Sequence, residues 1–450
     1  MFEAKVRLAR AARVVSRRAG RGGTTAPGRL LLKLDEHAIG RLGGRLEDGA
    51  VLLSATNGKT TTAAMLAGIL ERAGEHVVRN RAGSNMHWGV ATALLDAGRR
   101  KGELGLLEVD EAWLPTVAEE LDPRALILCN LFRDQLDRYG ELETLADRWA
   151  DLVASRDGQS SFVLNADDPL VADLGRERSG VTYFGVEDES LALPELQHAS
   201  DSKHCRRCGH PYEYEAVYLG HLGHYRCPNC GRERPHADVA ATRVKLLGMK
   251  GCEVDLRTPA GPMSLHLPLP GLYNVYNALA AAASAFALGA KPEHVQAGLE
   301  QVAAVFGRVE TIPVGGRAVS ILLVKNPAGA NEVLRTLTLE DGSIDLWLAL
   351  NDRIADGRDV SWIWDADFEL LAGRVRRATC SGTRAEEMAL RLKYAGIDTA
   401  AITVERDLGR SLDLAVADGT GPLYALPTYT ALLDLRELLA ERGLAGRWSD

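Results

Sequence analysis

The chain has 450 residues, of which 46% are apolar and 25% charged, values typical of a globular protein of about two to four domains. No stretch approaches the roughly 20 apolar residues of a membrane span, and the N-terminus lacks the apolar core of a signal peptide, so we expect a cytoplasmic protein. The net charge of −8 argues against a general nucleic-acid-binding protein.

Residues 1–40 form a basic N-terminal segment. Nine lysines and arginines stand in residues 1–33 against a single acid, Glu3, with apolar residues between them. This pattern is typical of an amphipathic helix that rests on anionic lipid, which would place the protein at the inner face of the membrane. It is also typical of a solvated helix that caps the first domain, so the sequence leaves both interpretations open.

From residue 40 to residue 190, short apolar runs alternate with helical patterns. Four of the runs end in small or polar residues: GAVLLSAT, LGLLEVDE, RALILCNL and SFVLNADD. Uninterrupted apolar strands of this kind predict a parallel sheet covered on both faces, with ligands at the carboxyl ends of the strands. We therefore predict an α/β domain over residues 41–310.

The segment SATNGKTTT, residues 54–62, lies between the first of these strands and a helical pattern. A strand–turn–helix containing Gly58, Lys59 and Thr60 directs backbone N–H groups and a helix N-terminus at an anion. The lysine can reach the β- and γ-phosphates of a nucleotide, and the threonine hydroxyl can bind Mg²⁺. Leu53 stands where the full motif has its first glycine, so an ordinary strand–helix turn is the alternative.

Residues 200–236 differ from the flanking sequence because they are rich in cysteine, histidine, tyrosine and glycine. Cys205 and Cys208 form one CxxC pair, and Cys227 and Cys230 form a second pair after eighteen intervening residues. Two such knuckles supply four thiolates for a tetrahedral Zn²⁺ site, so we predict a structural zinc-ribbon insertion. A redox pair is one alternative. A ribbon that binds nucleic acid is another, which the acidic balance disfavours.

Strands and an alanine-rich helix fill residues 237–310, and a second α/β domain is predicted over residues 311–450. In the latter, LALNDRIADGRDVSWIWDADFE contains five aspartates in sixteen residues: Asp352, Asp356, Asp359, Asp365 and Asp367. The alternation of Trp362 and Trp364 predicts a half-buried strand with Asp359 near its edge. On the residues alone, a solvated acidic face explains the segment equally well.

Several motifs together resemble those of the Mur ligase superfamily, whose members use ATP to phosphorylate a carboxylate that an amine then converts to an amide. TNGKTTT resembles the short ATP loop, with Ala55 in place of the usual glycine, and LLEVDE resembles the strand whose glutamate binds Mg²⁺. LYNVYNALAA resembles the helix start whose asparagines bracket adenine, and FGRVE supplies a phosphate-binding arginine. The roles carried over fall on Thr56, Asn57, Gly58, Lys59, Thr60 and Thr61 for ATP, Asn274 and Asn277 for adenine, Arg308 for the phosphates, and Thr60 and Glu108 for Mg²⁺.

The chain also departs from the common superfamily pattern. Two further segments, NLFRDQLDRYG and LNADDP, resemble the superfamily pattern, and their matching residues are Asp137, Arg138, Asn165, Asp167 and Asp168. However, Gln135 stands where the common ligases have histidine, and no lysine occurs in residues 102–202 to supply their carbamate-modified lysine. The resemblance therefore implies one Mg²⁺ site and does not extend to a second metal site of the usual kind.

The C-terminal block resembles the C-terminal domain of the MurT family. The resemblance is carried by LVKNPAGANEVL (Lys325, Asn326, Pro327), the acidic segment, SGTRAEEMALRLKYAG and VERD, and the ribbon insertion fits the same family. It covers nearly the whole chain. It implies an ATP-dependent carbon–nitrogen ligase of peptidoglycan biosynthesis that activates the α-carboxylate of D-glutamate in the lipid II stem peptide as an acyl phosphate.

The resemblance further implies a heterodimer with a GatD-type glutaminase, which releases ammonia from glutamine with a cysteine and a histidine. In the family the synthetase subunit supplies the acidic third member of the glutaminase's catalytic triad, and Asp359 matches that position. A carboxylate there fixes the histidine tautomer and stabilises the imidazolium. No cysteine here has a nucleophile motif, and Cys129, Cys252 and Cys380 are expected in the core. A stand-alone Mur- or folylpolyglutamate-type amino-acid ligase is the alternative.

Overall fold

The structure, a computed structural model, describes residues 1–18, 25–80, 84–134, 142–197, 200–302, 308–417, 419 and 421–446. The helices of the first body are α1 (Phe2–Arg18), α2 (Ala26–Leu34), α3 (Ala38–Gly43), α4 (Lys59–Arg72), α5 (His87–Leu94), α6 (Leu114–Leu121), α7 (Leu142–Ser155), α8 (Pro169–Ala172), α9 (Leu272–Ala287) and α10 (Pro292–Glu300). Its strands are β1 (Ala50–Ser54), β2 (His76–Arg79), β3 (Glu103–Glu108), β4 (Ala125–Leu128), β5 (Ser161–Asn165), β6 (Val181–Val186), β7 (Glu213–Leu219), β8 (Leu222–Arg226), β9 (Val239–Leu246), β10 (Cys252–Thr258) and β11 (Gly261–Leu267).

Nine of these strands form one sheet in the order β11–β10–β9–β6–β5–β4–β1–β3–β2. The strands from β2 to β9 in this order are parallel, whereas β10 runs antiparallel to both β9 and β11. In the centre, Leu53 of β1 pairs with Glu108 of β3 on one side and with Ile127 of β4 on the other. The loops that follow these three strands therefore meet at one edge of the sheet.

The sheet is covered on both faces, and its central strands are mostly apolar. Every residue of β1, β3 and β4 is buried. One face packs against α4, α9 and α10, and the alanine-rich sequence of α9 lets that helix lie close to the sheet. The other face packs against α5, α6, α7 and the three N-terminal helices. This is the predicted parallel sheet between two layers of helices.

The first part of the basic segment folds as α1, which lies on the first body. Val6 and Ala9 are fully buried, Arg10 donates to the carbonyl of Leu95, and Arg13 forms a two-point ion pair with Asp96 at 2.8 and 2.9 Å. These contacts fit the capping interpretation of the segment. Apolar side chains are also exposed on this helix, at Leu8, Val14 and Val15. Among the described residues, none of the helices has the length and hydropathy needed to cross a bilayer.

The insertion 200–236 contains the hairpin of β7 and β8, which is fastened to the carboxyl end of β5. The N–H of Gly223 donates to the carbonyl of Asp167 at 2.9 Å, and Arg234 pairs with the Asp167 carboxylate at 2.6 Å. Asp168 caps α8 and accepts a hydrogen bond from the N–H of Leu131, just beyond β4. The LNADDP motif thus joins the insertion to the edge where the central loops meet.

A second body follows, with a six-stranded sheet in the order β12–β13–β17–β14–β15–β16. Its strands are β12 (Arg308–Val314), β13 (Arg317–Leu322), β14 (Ile344–Ala349), β15 (Val375–Ser381), β16 (Ile402–Val404) and β17 (Leu423–Pro427). Its helices are α11 (Pro327–Leu337), α12 (Ala385–Tyr394), α13 (Leu408–Ala417) and α14 (Tyr429–Glu441). Only the β12–β13 pair is antiparallel, so this body is also a mainly parallel α/β unit.

The acidic segment of the second body does not form the predicted strand. Ser361–Trp364 is a single turn of 3₁₀-helix, in which Ile363 is buried and Trp364 is 49% exposed. The prediction from the alternation of the two tryptophans was wrong, because that alternation spans only three residues, too few to distinguish a strand from a helical turn. Arg391 of α12 stabilises the turn, since its Nε donates to the carbonyl of Ile363 at 2.9 Å.

Candidate active site

The predicted phosphate-binding loop, residues 54–62 (the phosphate loop), is held by Asn130, which lies just beyond β4. The N–H of Thr56 donates to the carbonyl of Asn130 at 3.0 Å, and the N–H of Asn57 donates to the Asn130 side chain at 2.9 Å. Gly58 has φ of 90°, a conformation that other residues disfavour, and a Cβ there would lie 2.0 Å from Oδ1 of Asn277. The loop leads directly into the N-terminus of α4, which favours an anion at this position.

Lys59, the first residue of α4, is buried beside a carboxylate. Its Nζ lies 2.8 Å from Oε2 of Glu111, and the two side chains are only 9% and 10% exposed. Burial alone would lower the pKa of Lys59, but Glu111, Asp110 and Asp134 outweigh that effect and raise the pKa above its ordinary value. Burial would raise the pKa of Glu111, but Lys59 and Lys325 lower it. The site therefore keeps a charged ammonium beside the loop.

A hydroxyl and a carboxylate meet next to the lysine. Thr60 Oγ1 donates to Oε2 of Glu108 at 2.9 Å, so the structure brings together the two residues predicted to hold Mg²⁺. Asn80 fixes the end of β3, because its side chain accepts from the N–H of Glu108 and donates to the carbonyl of the same residue. Hard oxygen donors of this kind suit Mg²⁺. The oxygens fit the ion, and the binding role stays a prediction.

The two predicted adenine-binding asparagines lie on the first turns of α9, behind the loop. Asn277 accepts from Thr62 Oγ1 at 3.2 Å and donates to Asn274 at 3.1 Å. Asn274 in turn donates to the carbonyl of Pro270. Both side chains are buried, and Asn277 lines the cavity described below. Asn277 thus lies beside Gly58 and Thr62 and holds Asn274 next to it, and the contact of either side chain with a base stays a prediction.

The second body contacts the phosphate loop directly. Lys325, which follows β13, donates to the carbonyl of Thr56 at 3.1 Å and pairs with Asp134. Asn326 caps α11, and its side chain exchanges two hydrogen bonds with that of Asn57, at 3.1 and 3.3 Å. The loop is thus part of the junction between the two bodies.

A cavity of about 100 Å³ opens between the two bodies beside the loop. Its polar lining includes Asn57, Gly58, Asn130 and Lys325, close to the N-terminus of α4. The lining also includes Glu332 and a set of apolar and aromatic side chains: Phe132, Leu219, Leu222, Tyr273, Tyr276, Val309, Leu322, Leu323, Ala328 and Val333. A concave site with a polar end and an apolar end is typical of a small-ligand site.

The four cysteines of the insertion come together as predicted. Their sulfur atoms all lie within 4.8 Å of one another, with 3.6 Å between Cys205 and Cys230 and 3.4 Å between Cys208 and Cys227. Each knuckle closes with a glycine N–H that donates to the carbonyl of its first cysteine. Those spacings fit a tetrahedral Zn²⁺ with ligand distances of about 2.3 Å.

Asp359 lies on the second body, in the segment between β14 and β15. It is exposed, and its Oδ1 accepts a hydrogen bond from the N–H of Ser361 at 2.8 Å. That bond, with the Ser361 hydroxyl, lowers the pKa of Asp359. Asp352 instead pairs with Arg384, and Asp356 is buried against Thr430. Within the described ranges Asp359 forms no ion pair, so its carboxylate is available to another molecule.

Some predicted site residues cannot be placed. Gln135, Asp137 and Arg138 lie outside the described residues, as does the side chain of Arg308, whose backbone begins β12. The three cysteines expected in the core are confirmed there, and burial raises the pKa of Cys129, Cys252 and Cys380 to about 12 in each case. None of these three thiols is therefore suited to act as a nucleophile near neutral pH.

Two residues of the site were not singled out from the sequence. Asn130 holds the loop, and Glu111 pairs with the lysine. Both are polar residues directly beyond the apolar strands that flank β1, in CNL and EVDE. That position was the available signal, because polar residues at the carboxyl ends of central parallel strands lie beside the ligand.

Comparison with known proteins places the chain in a family. It matches the Mur ligase middle domain over residues 54–230 and the MurT ligase C-terminal domain over residues 323–432. The lipid II isoglutaminyl synthase (glutamine-hydrolyzing) subunit MurT of Streptococcus pneumoniae is 34% identical over 437 residues, covering 96% of each chain. The protein of the same description from Staphylococcus aureus is 32% identical over 435 residues, covering 96% of this chain and 97% of that one.

Solved structures agree on the fold. A pseudomurein peptide ligase type C from Methanothermus fervidus has a TM-score of 0.69 and 22% identity, covering 88% of this chain and 79% of that chain. This likeness confirms the predicted Mur ligase-type architecture and concerns the fold alone. The near-complete alignment with the two curated relatives decides the family. The chain belongs to the MurT family of Mur ligase-related proteins.

Proposed function

We propose that this chain is the synthetase subunit of an enzyme that uses ATP to amidate the α-carboxylate of D-glutamate in the stem peptide of lipid II. The observation that carries the proposal is the cluster of Lys59, Thr60 and Glu108 at the phosphate loop. The similarity to MurT subunits of lipid II isoglutaminyl synthase supports the substrate and the reaction.

In the proposed reaction, ATP lies in the cavity between the two bodies with its phosphates at the loop. A carboxylate oxygen of the stem peptide attacks the γ-phosphorus, and the bond to the departing ADP breaks, which gives an acyl phosphate. The nitrogen of ammonia then attacks the acyl carbon, phosphate leaves, and the nitrogen loses a proton to give D-isoglutamine. Lys59 stabilises the negative charge that develops on the transferred phosphoryl group.

Glu111 and Lys325 determine the charges that surround Lys59 in this role. Lys59 pairs with Glu111, so a phosphate oxygen that binds the lysine competes with a carboxylate already in contact with it. Lys325 brings a second cation to the same loop from the other body. Thr60 and Glu108 would hold Mg²⁺, which when bound neutralises phosphate charge. Both bodies are thus required for a complete site.

We propose that the four cysteines bind one Zn²⁺ in a structural role. The support is the geometry of the four sulfur atoms. Four thiolates complete a tetrahedral site, so no further ligand is needed. Such a site fixes the knuckles from which the ribbon hairpin extends.

We propose that the ammonia comes from a GatD-type glutaminase that docks on the second body and uses Asp359. An exposed apolar surface near this residue supports the docking. Trp364 is 49% exposed and Tyr394 67%, and their rings lie 5.8 Å apart. Leu390, one helical turn before Tyr394, is 46% exposed on the same face. Contiguous exposed apolar side chains of this kind are typical of an interaction surface.

The test of this function is an amidation assay on the chain co-produced with its glutaminase. We expect lipid II, ATP and glutamine to yield amidated lipid II and ADP, and ammonium salts to replace glutamine. A stand-alone amino-acid ligase would instead extend its substrate with an amino acid. Formation of such an extended product from a mixture of free amino acids, with no product from ammonia, would overturn the proposal.

We also propose a peripheral contact of α1 with an anionic membrane, where lipid II is embedded. The exposed Leu8, Val14 and Val15 support it, together with exposed Arg7. Replacing the three apolar residues with serine should reduce co-sedimentation with phosphatidylglycerol vesicles severalfold, because it removes the apolar anchor. The matched control is Leu339→Ser, a residue 46% exposed on the second body. Equal sedimentation of both variants and the unmodified chain would remove the membrane contact.

A further inference from the structure

The zinc-ribbon insertion takes part in the nucleotide cavity, although it is remote from the phosphate loop in sequence. Leu219 at the end of β7 and Leu222 at the start of β8 both line that cavity. The turn between them is packed against Phe132, which follows β4. A Cβ on Gly220 would lie 2.8 Å from the Phe132 ring, and the His221 ring centroid is 4.7 Å from that of Phe132.

Phe132 in turn holds the phosphate loop. Its N–H donates to Thr56 Oγ1 at 3.0 Å, and the Thr56 hydroxyl donates back to its carbonyl at 3.3 Å. A continuous line of contacts therefore leads from residues 219–222, the hairpin tip, through one aromatic residue to the loop. His221 is fully buried, with its Nε2 3.5 Å from Oδ1 of Asp168. The hairpin tip is thus fixed and is not a mobile surface turn.

The root of the hairpin is attached to the cysteine cluster. Cys227 directly follows β8, and Tyr212 and Tyr225, whose ring centroids are 5.0 Å apart, form a buried cluster with Cys205 and Cys227. From Cys227 to the tip is one five-residue strand, or about 17 Å. The second body contacts the same hairpin, because Arg335 of α11 donates to the carbonyl of Tyr218 at 2.8 Å.

We propose that the hairpin tip is the base-side wall of the nucleotide site, and that the metal-bound ribbon thereby sets the affinity for the nucleoside part of ATP. The inference rests on the proposed binding of ATP in this cavity. The polar lining near α4 suits the phosphates, and the two leucines belong to the apolar lining, which suits a base and its ribose. The ribbon is then a part of the ligand site in addition to a folding element.

The experiment measures dissociation constants by calorimetry on the full chain with Mg²⁺, using ADP and inorganic tripolyphosphate as ligands. Leu219→Ala and Leu222→Ala should each weaken ADP binding about tenfold, the usual effect of losing part of an apolar pocket. Tripolyphosphate has no base and should bind these variants as it binds the unmodified chain. Val217→Ala is the matched control, since Val217 is buried in the same hairpin and is not among the residues that line the cavity.

Metal removal tests the second part of the proposal. Zinc content is measured by elemental analysis before and after treatment with a chelator, and circular dichroism follows the fold. We expect about one zinc per chain, and we expect its loss to weaken ADP binding at least as much as Leu222→Ala while tripolyphosphate binding persists. Unchanged ADP affinity in the leucine variants and in the zinc-free chain would overturn the inference and leave the proposed function standing. Failure of the unmodified chain to bind either ligand would overturn both.

Discussion

Replacing Lys59 with alanine should lower the rate of lipid II amidation by about 10²–10³-fold, even when ammonia is supplied directly. The buried ammonium lies at the N-terminus of α4, and in the proposed reaction it stabilises charge on the transferred phosphoryl group. Ammonia bypasses the glutaminase, so the loss reports on the synthetase site alone. The measurement is the rate at which amidated lipid II and ADP form, with Lys291→Ala as the control at an exposed lysine.

A second variant separates this effect from unfolding. Lys59→Ala leaves Glu111 buried without its partner, and breaking one side of such a pair costs about 3–5 kcal/mol of stability. The double variant Lys59→Met with Glu111→Gln removes both charges at similar side-chain volume. Its melting temperature should be closer to that of the unmodified chain. We expect it to remain inactive in amidation. Near-normal activity in either folded variant would show that the lysine is not required.

Replacing Asp359 with asparagine should lower glutamine-dependent amidation by up to about 10⁴-fold and leave ammonia-dependent amidation largely intact. A carboxylate that orients a catalytic histidine loses its effect when it becomes an amide, because the tautomer is no longer fixed. Asparagine can still accept the hydrogen bond from the N–H of Ser361, so the local turn should persist. The measurement compares rates with glutamine and with ammonium chloride for the same preparation of the two-subunit enzyme.

Asp365→Asn is the matched control, because Asp365 lies in the same acidic segment and is 47% exposed. It should retain both activities. The lowered pKa of Asp359 adds a pH expectation: its carboxylate is charged throughout the neutral range and gains a proton only in acid below the usual aspartate range. A loss of activity near neutral pH therefore has to come from other groups. If ammonia fails to restore amidation in Asp359→Asn, the residue has a different role.

Short-range patterns predicted much of this molecule. The phosphate loop, the parallel strands around it and the two CxxC knuckles are each encoded within a few consecutive residues, and the structure contains all of them. Thr60 and Glu108 are 48 residues apart, yet their contact follows from the pairing of two neighbouring strands. Resemblance to known families supplied the roles that residue patterns alone could not.

Contacts between the two bodies could not be predicted from the sequence. Lys325 and Asn326 stood in a recognised motif, but nothing local shows that they meet a loop 269 residues earlier. The same holds for the approach of the hairpin tip to Phe132, which depends on how an insertion packs on a sheet edge. The strand predicted around Trp362 and Trp364 was wrong for a local reason, because a three-residue alternation is too short to define the backbone conformation.

The uncovered rings of Trp364 and Tyr394 have a consequence for the supply of this subunit. In the proposed complex the glutaminase covers these rings, so copies made in excess of it expose an apolar patch to water and are prone to self-associate. Under this proposal, balanced synthesis of the two chains keeps the patch covered from the moment each molecule is complete. The proposed docking would make the stoichiometry of the two chains a requirement of solubility as well as of ammonia supply.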